Sequence, residues 1–149
     1  MRRTRHGQAL VEMAILFPLL LLIIVGGIID FGMAFYNMLT LQQLANDAAQ
    51  YAAESNCGVA RSASEVYAYV GTKKPYYWKT SDFPTPTYDP NVQLYLGSSP
   101  GKAVQVTLKY NSPVYTPFYQ AMMNAIGSGP YIVLGSKAVY QIPTTVYTR

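Results

Sequence analysis

Seventeen consecutive residues, Met13 to Ile29, carry neither a charge nor a polar side chain, and a lone carboxylate, Glu12, stands at their head. As a helix rising ~1.5 Å per residue this run would be about 26 Å long, close to the ~30 Å hydrocarbon thickness of a bilayer. Leu10 and Val11 before it, and Phe31 to Tyr36 beyond Asp30, lengthen the apolar stretch. Such a run has to be hidden from water, and its length suits a membrane span. Pro18 and the pair Gly26-Gly27 loosen a helix, which membrane spans tolerate better than soluble helices do. Glu12 is the anomaly. A charge inside a span is unfavourable by ~2.5–3.5 kcal/mol on insertion scales, so it is retained only where something offsets that cost.

The net charge of +4 does not point to nucleic acid. Arg2, Arg3 and Arg5 sit in the first seven residues with no acidic neighbour; the remainder holds eight basic against seven acidic residues. Arginines beside an apolar span hold that end on the cytoplasmic side, so the basic excess is a topology signal. With 149 residues, there is room for one span and one small domain of roughly 70–100 residues. Cys57 is the sole cysteine and cannot close an intrachain bridge; burial is its ordinary fate, pairing with another chain the alternative.

The helical signal continues past the span. Leu41, Leu44, Ala45, Ala48, Tyr51 and Ala52 recur at three- and four-residue steps, while Gln42, Gln43, Asn46, Asp47, Gln50 and Glu54 fill the other face. The pattern predicts one helix from about Gln8 to Glu54, its apolar stripe covering a sheet that follows. Ser62 can cap a second helix reaching Val70. Nine of ten prolines lie beyond residue 74, and Gly71 to Gly101 has loop composition. Strands are predicted at Val92–Leu96, at Ala103–Tyr110 on a clear period of two, and over Tyr131–Leu134 and Lys137–Tyr147, with Gly135 and Pro143 as breaks, as one last long or bulged strand. Phe118–Ile126 favours a short helix. The fold class is α+β: a long N-terminal helix, then a small antiparallel sheet domain with short helices. The expected segments are 1–7 as a basic leader, 8–36 as the transmembrane helix, 37–56 as its amphipathic extension, and 57–149 as a small extracytoplasmic domain.

Read as a unit, Arg5-His6-Gly7-Gln8-Ala9-Leu10-Val11-Glu12, Pro18 followed by Leu19 to Leu22, Gly27-Ile28-Ile29-Asp30-Phe31-Gly32 and Phe35-Tyr36 resemble the type IV prepilin signal. More closely, they resemble the TadE-like pseudopilins and pilins of the tight-adherence (Flp-type) pilus system. The resemblance covers about the first fifty residues. It implies cleavage after Gly7 by a prepilin peptidase at the cytoplasmic face, leaving Gln8 as the new N-terminus. It further implies that Glu12, fifth in the mature chain, pairs with the Gln8 amine of a neighbouring subunit and sets register. Met13 stands where the family's pilins often have Tyr. Implied partners are sister pilins in a homo- or hetero-oligomer, the peptidase, an inner-membrane assembly platform and membrane lipid. The implied location is the bacterial inner membrane, single pass, with the C-terminal domain extracytoplasmic, and in the assembled state an adhesive extracellular pilus.

Other readings stand beside this one. A secretory signal cut near Gly32-Met33-Ala34 would release a soluble protein, although the apolar run exceeds the usual 7–15 residues. A plain anchor with Glu12 at headgroup level would make the distal region a tethered binding module. Asp30 either marks where the helix leaves the hydrocarbon, the preferred reading, or makes an assembly contact. Gly26, Gly27 and Gly32 form no G-x-x-x-G pair. The fourteen tyrosines mainly fill core and strand faces, with Tyr76-Tyr77-Trp78 as the expected exposed group. Catalysis has little to work with, since the only histidine, His6, lies in the leader and no phosphate-binding glycine loop is present. No cofactor or metal site is expected, and no enzymatic activity.

Overall fold

The computed structural model describes residues 6–55, 58–96 and 99–143. Arg2, Arg3, Arg5, Cys57 and the end of the last expected strand at Tyr147 lie outside the described residues. The elements are α1 (His6–Ala53), α2 (Ala63–Lys73), a 3-10 turn (Thr80–Asp82), β1 (Thr87–Leu96), β2 (Ser99–Pro113), α3 (Pro117–Ala125) and β3 (Tyr131–Gln141). The class is α+β, with a long apolar N-terminal helix, a three-stranded antiparallel sheet and short helices. Two compact units divide the chain: Met1–Ala34 with Pro113–Ile132, and Phe35–Ser112 with Val133–Arg149.

α1 is 48 residues long and runs through Pro18. Pro18 brings no N–H, so the Ala14 carbonyl loses its partner in the helical ladder. In the second unit the expected stripe of α1 is buried: Leu41, Leu44, Ala45, Ala48 and Ala52, joined by Ala49 and Ala53, form one core with Val66, Val70, Val104, Val106 and Leu108. The helix therefore covers the sheet, as its periodicity requires. Tyr51 lies at the margin, stacked on Tyr69 at 4.2 Å with the Arg61 guanidinium 4.2 Å from its ring.

α2 begins as its sequence predicts. Ser62 and Glu65 form a reciprocal capping box, with the Ser62 N–H donating to Glu65 at 2.9 Å. The bonds from Ser62, side chain first and backbone second, hold the Glu65 carboxyl below the usual carboxylate range.

The sheet order is β1-β2-β3. Central β2 buries Ala103, Val104, Val106, Leu108 and Tyr110, so the period of two seen from Ala103 to Tyr110 is a real core face. Two expectations, for the start of β1 and for Trp78, need correction. β1 starts at Thr87, inside the stretch read as loop, because an edge strand tolerates Pro90 where a register shift separates Asp89 from Val92. β3, Tyr131–Gln141, passes through Gly135 as the one long last strand expected there, since strand pairing needs only backbone groups. Trp78 is 2% exposed and stacks on Tyr110 at 4.1 Å, whereas Tyr76 is 98% exposed; the aromatic trio is split between core and surface.

Burying Trp78 creates a polar debt at its indole N–H, and α1 settles it. Asn37, itself fully buried, accepts from Trp78 Nε1 at 3.2 Å and donates through Nδ2 to Ser112 Oγ at 2.9 Å. One amide thus ties α1, the loop after α2 and the end of β2. Asn37→Leu keeps the volume but strands the indole N–H, an orphan worth about 1–3 kcal/mol. A loss of about 2 kcal/mol is expected in urea unfolding of the full chain in detergent, followed by Trp78 fluorescence. An unchanged midpoint would remove Asn37 from the stability argument.

Candidate functional site: the N-terminal helix and the Asp30 clamp

Gly7, Gln8 and Glu12 lie on the first turns of α1, all exposed. Gln8 and Glu12 are four residues apart and therefore share one face of the helix. Downstream, Leu10, Met13, Ile15, Leu16, Phe17, Leu20, Leu22 and Ile28 are all more than half exposed. Only 6% of the most apolar window of α1 is buried within the molecule. A core helix of a soluble domain would be covered by its own chain. This one fits a single-pass membrane anchor.

Asp30 behaves differently from the residues around it. It is 3% exposed, and its carboxylate accepts the backbone N–H of Tyr115 at 2.8 Å and of Thr116 at 3.3 Å. The Thr116 hydroxyl also donates to Asp30 Oδ2. Thr116 is the N-cap of α3, but its hydroxyl makes no cap bond of its own because it is committed to Asp30. The carboxylate therefore satisfies backbone donors entering α3 and sits at the positive end of that helix, which favours negative charge.

Gly26 and Gly27 have a matching role. A Cβ on Gly26 would lie 3.3 Å from Thr116 Cγ2, and one on Gly27 would lie 2.7 Å from the Tyr119 hydroxyl. The absent side chains let α3 approach α1 closely enough for Tyr119 to donate to the Ile23 carbonyl at 3.1 Å. Tyr119 also meets the Phe31 ring edge to face, with centroids 6.2 Å apart. The segment closes on itself where Val114 N–H donates to the Pro130 carbonyl at 3.0 Å. Pro117 supplies the first turn of α3, and Gly127 leaves it at φ +77°.

The family model described as TadE-like protein matches residues 7–50. Over this stretch α1 is similar to TadE-like proteins. The match takes in Gly7, Gln8, Glu12, Pro18, Gly26, Gly27 and Asp30, and stops inside the amphipathic part of α1. No match is found among curated proteins or among solved structures. TadE-like proteins are pilin-like components associated with the tight-adherence pilus, structural rather than enzymatic. The long apolar helix fits a membrane anchor, and the TadE-like match falls on that same helix.

Local sequence pattern does not single out Thr116, Tyr119 or Asn37. Their partners lie 86, 96 and 40 or more residues away, beyond any local periodicity. The signal that existed was compositional: Thr116-Pro117 opening a helical pattern, with an unexplained carboxylate elsewhere.

Removing the Asp30 carboxylate exposes two backbone donors at once. In Asp30→Ala, opening at Tyr115 and Thr116 is expected to become easier by about 2 kcal/mol, on the order of thirtyfold faster amide exchange at those two residues. Hydrogen exchange read by mass spectrometry, with Val106 and Leu108 as the unaffected reference, checks this. Equal exchange in both proteins would show that the clamp carries no energy.

Proposed function

We propose that this chain is a structural pilin or pseudopilin subunit of a tight-adherence pilus, processed after Gly7 and assembled through α1. The observation that carries the reading is the coincidence of a TadE-like helix with an apolar surface its own chain leaves uncovered. In the membrane, lipid covers that surface; in a filament or its base, neighbouring helices replace lipid. Cleavage creates a free amine on Gln8. Glu12 of a neighbouring subunit receives it, since a carboxylate and an ammonium leaving water together each relieve the other's desolvation penalty. Because the amine exists only after cleavage, unprocessed subunits lack the pairing partner. The prepilin peptidase, sister pilins and an inner-membrane assembly platform are the partners, the basic leader stays cytoplasmic, and the region beyond α1 faces outward. Adhesion is a property of the assembled filament, with no catalytic step.

The processing step is tested by intact mass. Wild-type protein from its native membrane is expected to lack residues 1–7, and Gly7→Leu to retain them. An identical mature mass for the two would sink cleavage at this site. The pairing step is tested by Glu12→Leu, expected to insert in the membrane at the wild-type level and to be missing from sheared pili. Filaments containing the variant at normal stoichiometry would remove the register role of Glu12.

A further inference from the structure

The segment Pro113–Ile132 takes no part in the assembly described above, yet its own features specify a surroundings. Its depth is set by α1. Thr116 packs on Gly26, and Tyr119 bonds the carbonyl of Ile23, a residue inside the apolar run. Ile23 precedes Asp30 by seven residues, about 10 Å along a helix. If α1 crosses a bilayer, the first turn of α3 is carried below the end of the span. Interfacial helices bury their apolar faces by about 5–10 Å, the same distance.

Composition agrees with that depth. The 27 residues from Tyr110 to Ser136 include no Asp, Glu, Lys or Arg, in a chain of which 12% is charged. The outward face of α3 is apolar at helical spacing: Phe118, Met122 and Ile126 are 40%, 44% and 67% exposed. Beside it runs an apolar groove of about 620 Å³, with Phe17, Leu21 and Val25 on one wall and Pro117 and Phe118 on the other. This surface is continuous with the lipid-facing surface of α1. A protein-binding patch would carry a polar rim, and this stretch supplies no charged side chain for one.

We propose that α3 is a membrane-seated helix, docked on α1 through the Asp30 clamp and lying in the interfacial layer of the leaflet remote from the basic leader. Phe118, Met122 and Ile126 face acyl chains there, and a lipid chain occupies the groove. The buried Asp30 carboxylate is compatible with this depth because the Tyr115 and Thr116 backbone donors and the Thr116 hydroxyl already satisfy it. The inference rests on α1 being a membrane span.

The test uses the full chain in phosphatidylethanolamine–phosphatidylglycerol vesicles, in a Cys57→Ser background with single reporters. Met122→Cys, Ile126→Cys, Leu21→Cys and Tyr76→Cys each carry an environment-sensitive fluorophore. Quenching by acyl-chain-brominated lipid is compared with quenching by aqueous iodide. Met122 and Ile126 reporters are expected to lose most of their emission to brominated lipid and little to iodide, as Leu21 does, with Tyr76 behaving oppositely. Iodide quenching at 122 and 126 with Leu21 still lipid-quenched overturns the seating of α3 and leaves the span intact. Protection from both quenchers that disappears on dilution of protein in lipid assigns the face to a second copy of the chain, which also overturns it. Iodide quenching at Leu21 removes the span and the inference with it.

Discussion

The N-terminal unit is governed by one constraint: among the described residues, α3 covers only a small part of the apolar surface of α1 between Leu10 and Ile29 and the rest is bare. Side chains of this size left in water would forfeit ~1.5–3 kcal/mol each relative to burial. An apolar run of this length is therefore stable only in a bilayer or against other helices. That requirement makes the Met1–Ala34 and Pro113–Ile132 unit dependent on its surroundings, while the Phe35–Ser112 and Val133–Arg149 unit carries a core of its own. The same helix meets both demands by changing pattern, apolar all round at first and striped with alanine and leucine later.

Two polar side chains of α1, Asp30 and Asn37, are buried, and each is committed to a remote segment. Asn37 satisfies the indole of Trp78 and the hydroxyl of Ser112; Asp30 satisfies the backbone leading into α3. In both cases a buried polar group has its partners in place, and among the described residues no buried side-chain polar atom lacks one. Such groups contribute geometry more than net energy, because misplacing either partner leaves a donor or acceptor orphaned.

Local rules carried the sequence reading a long way and stopped where contacts became long-range. The length of α1, the cap at Ser62, the helical tendency of α3 and the alternating face of β2 all follow from spacing and residue type. Trp78 has the sequence context of an exposed residue, in a loop rich in tyrosine, lysine and proline, and only the approach of Tyr110 and Asn37 turns it inward. Thr87 to Asn91 carries loop composition, and its pairing with β2 overrides that preference. For Asp30 the sequence discloses an unpaired carboxylate but not its ligand, since Tyr115 and Thr116 lie 85 and 86 residues further on. The glycines at 26 and 27 are ambiguous for the same reason: what they make room for is encoded elsewhere.

The Asn37 bridge has a mechanical consequence. Sliding the helix along the sheet by a single turn would carry the amide about 5 Å from both partners and leave an indole N–H and a serine hydroxyl unpaired in the core. No intermediate position restores them. Under a pull along its axis, the amphipathic part of α1 cannot creep past the sheet by degrees. It holds its register until the core opens around it, so the joint between helix and sheet behaves as a latch rather than a sliding bearing.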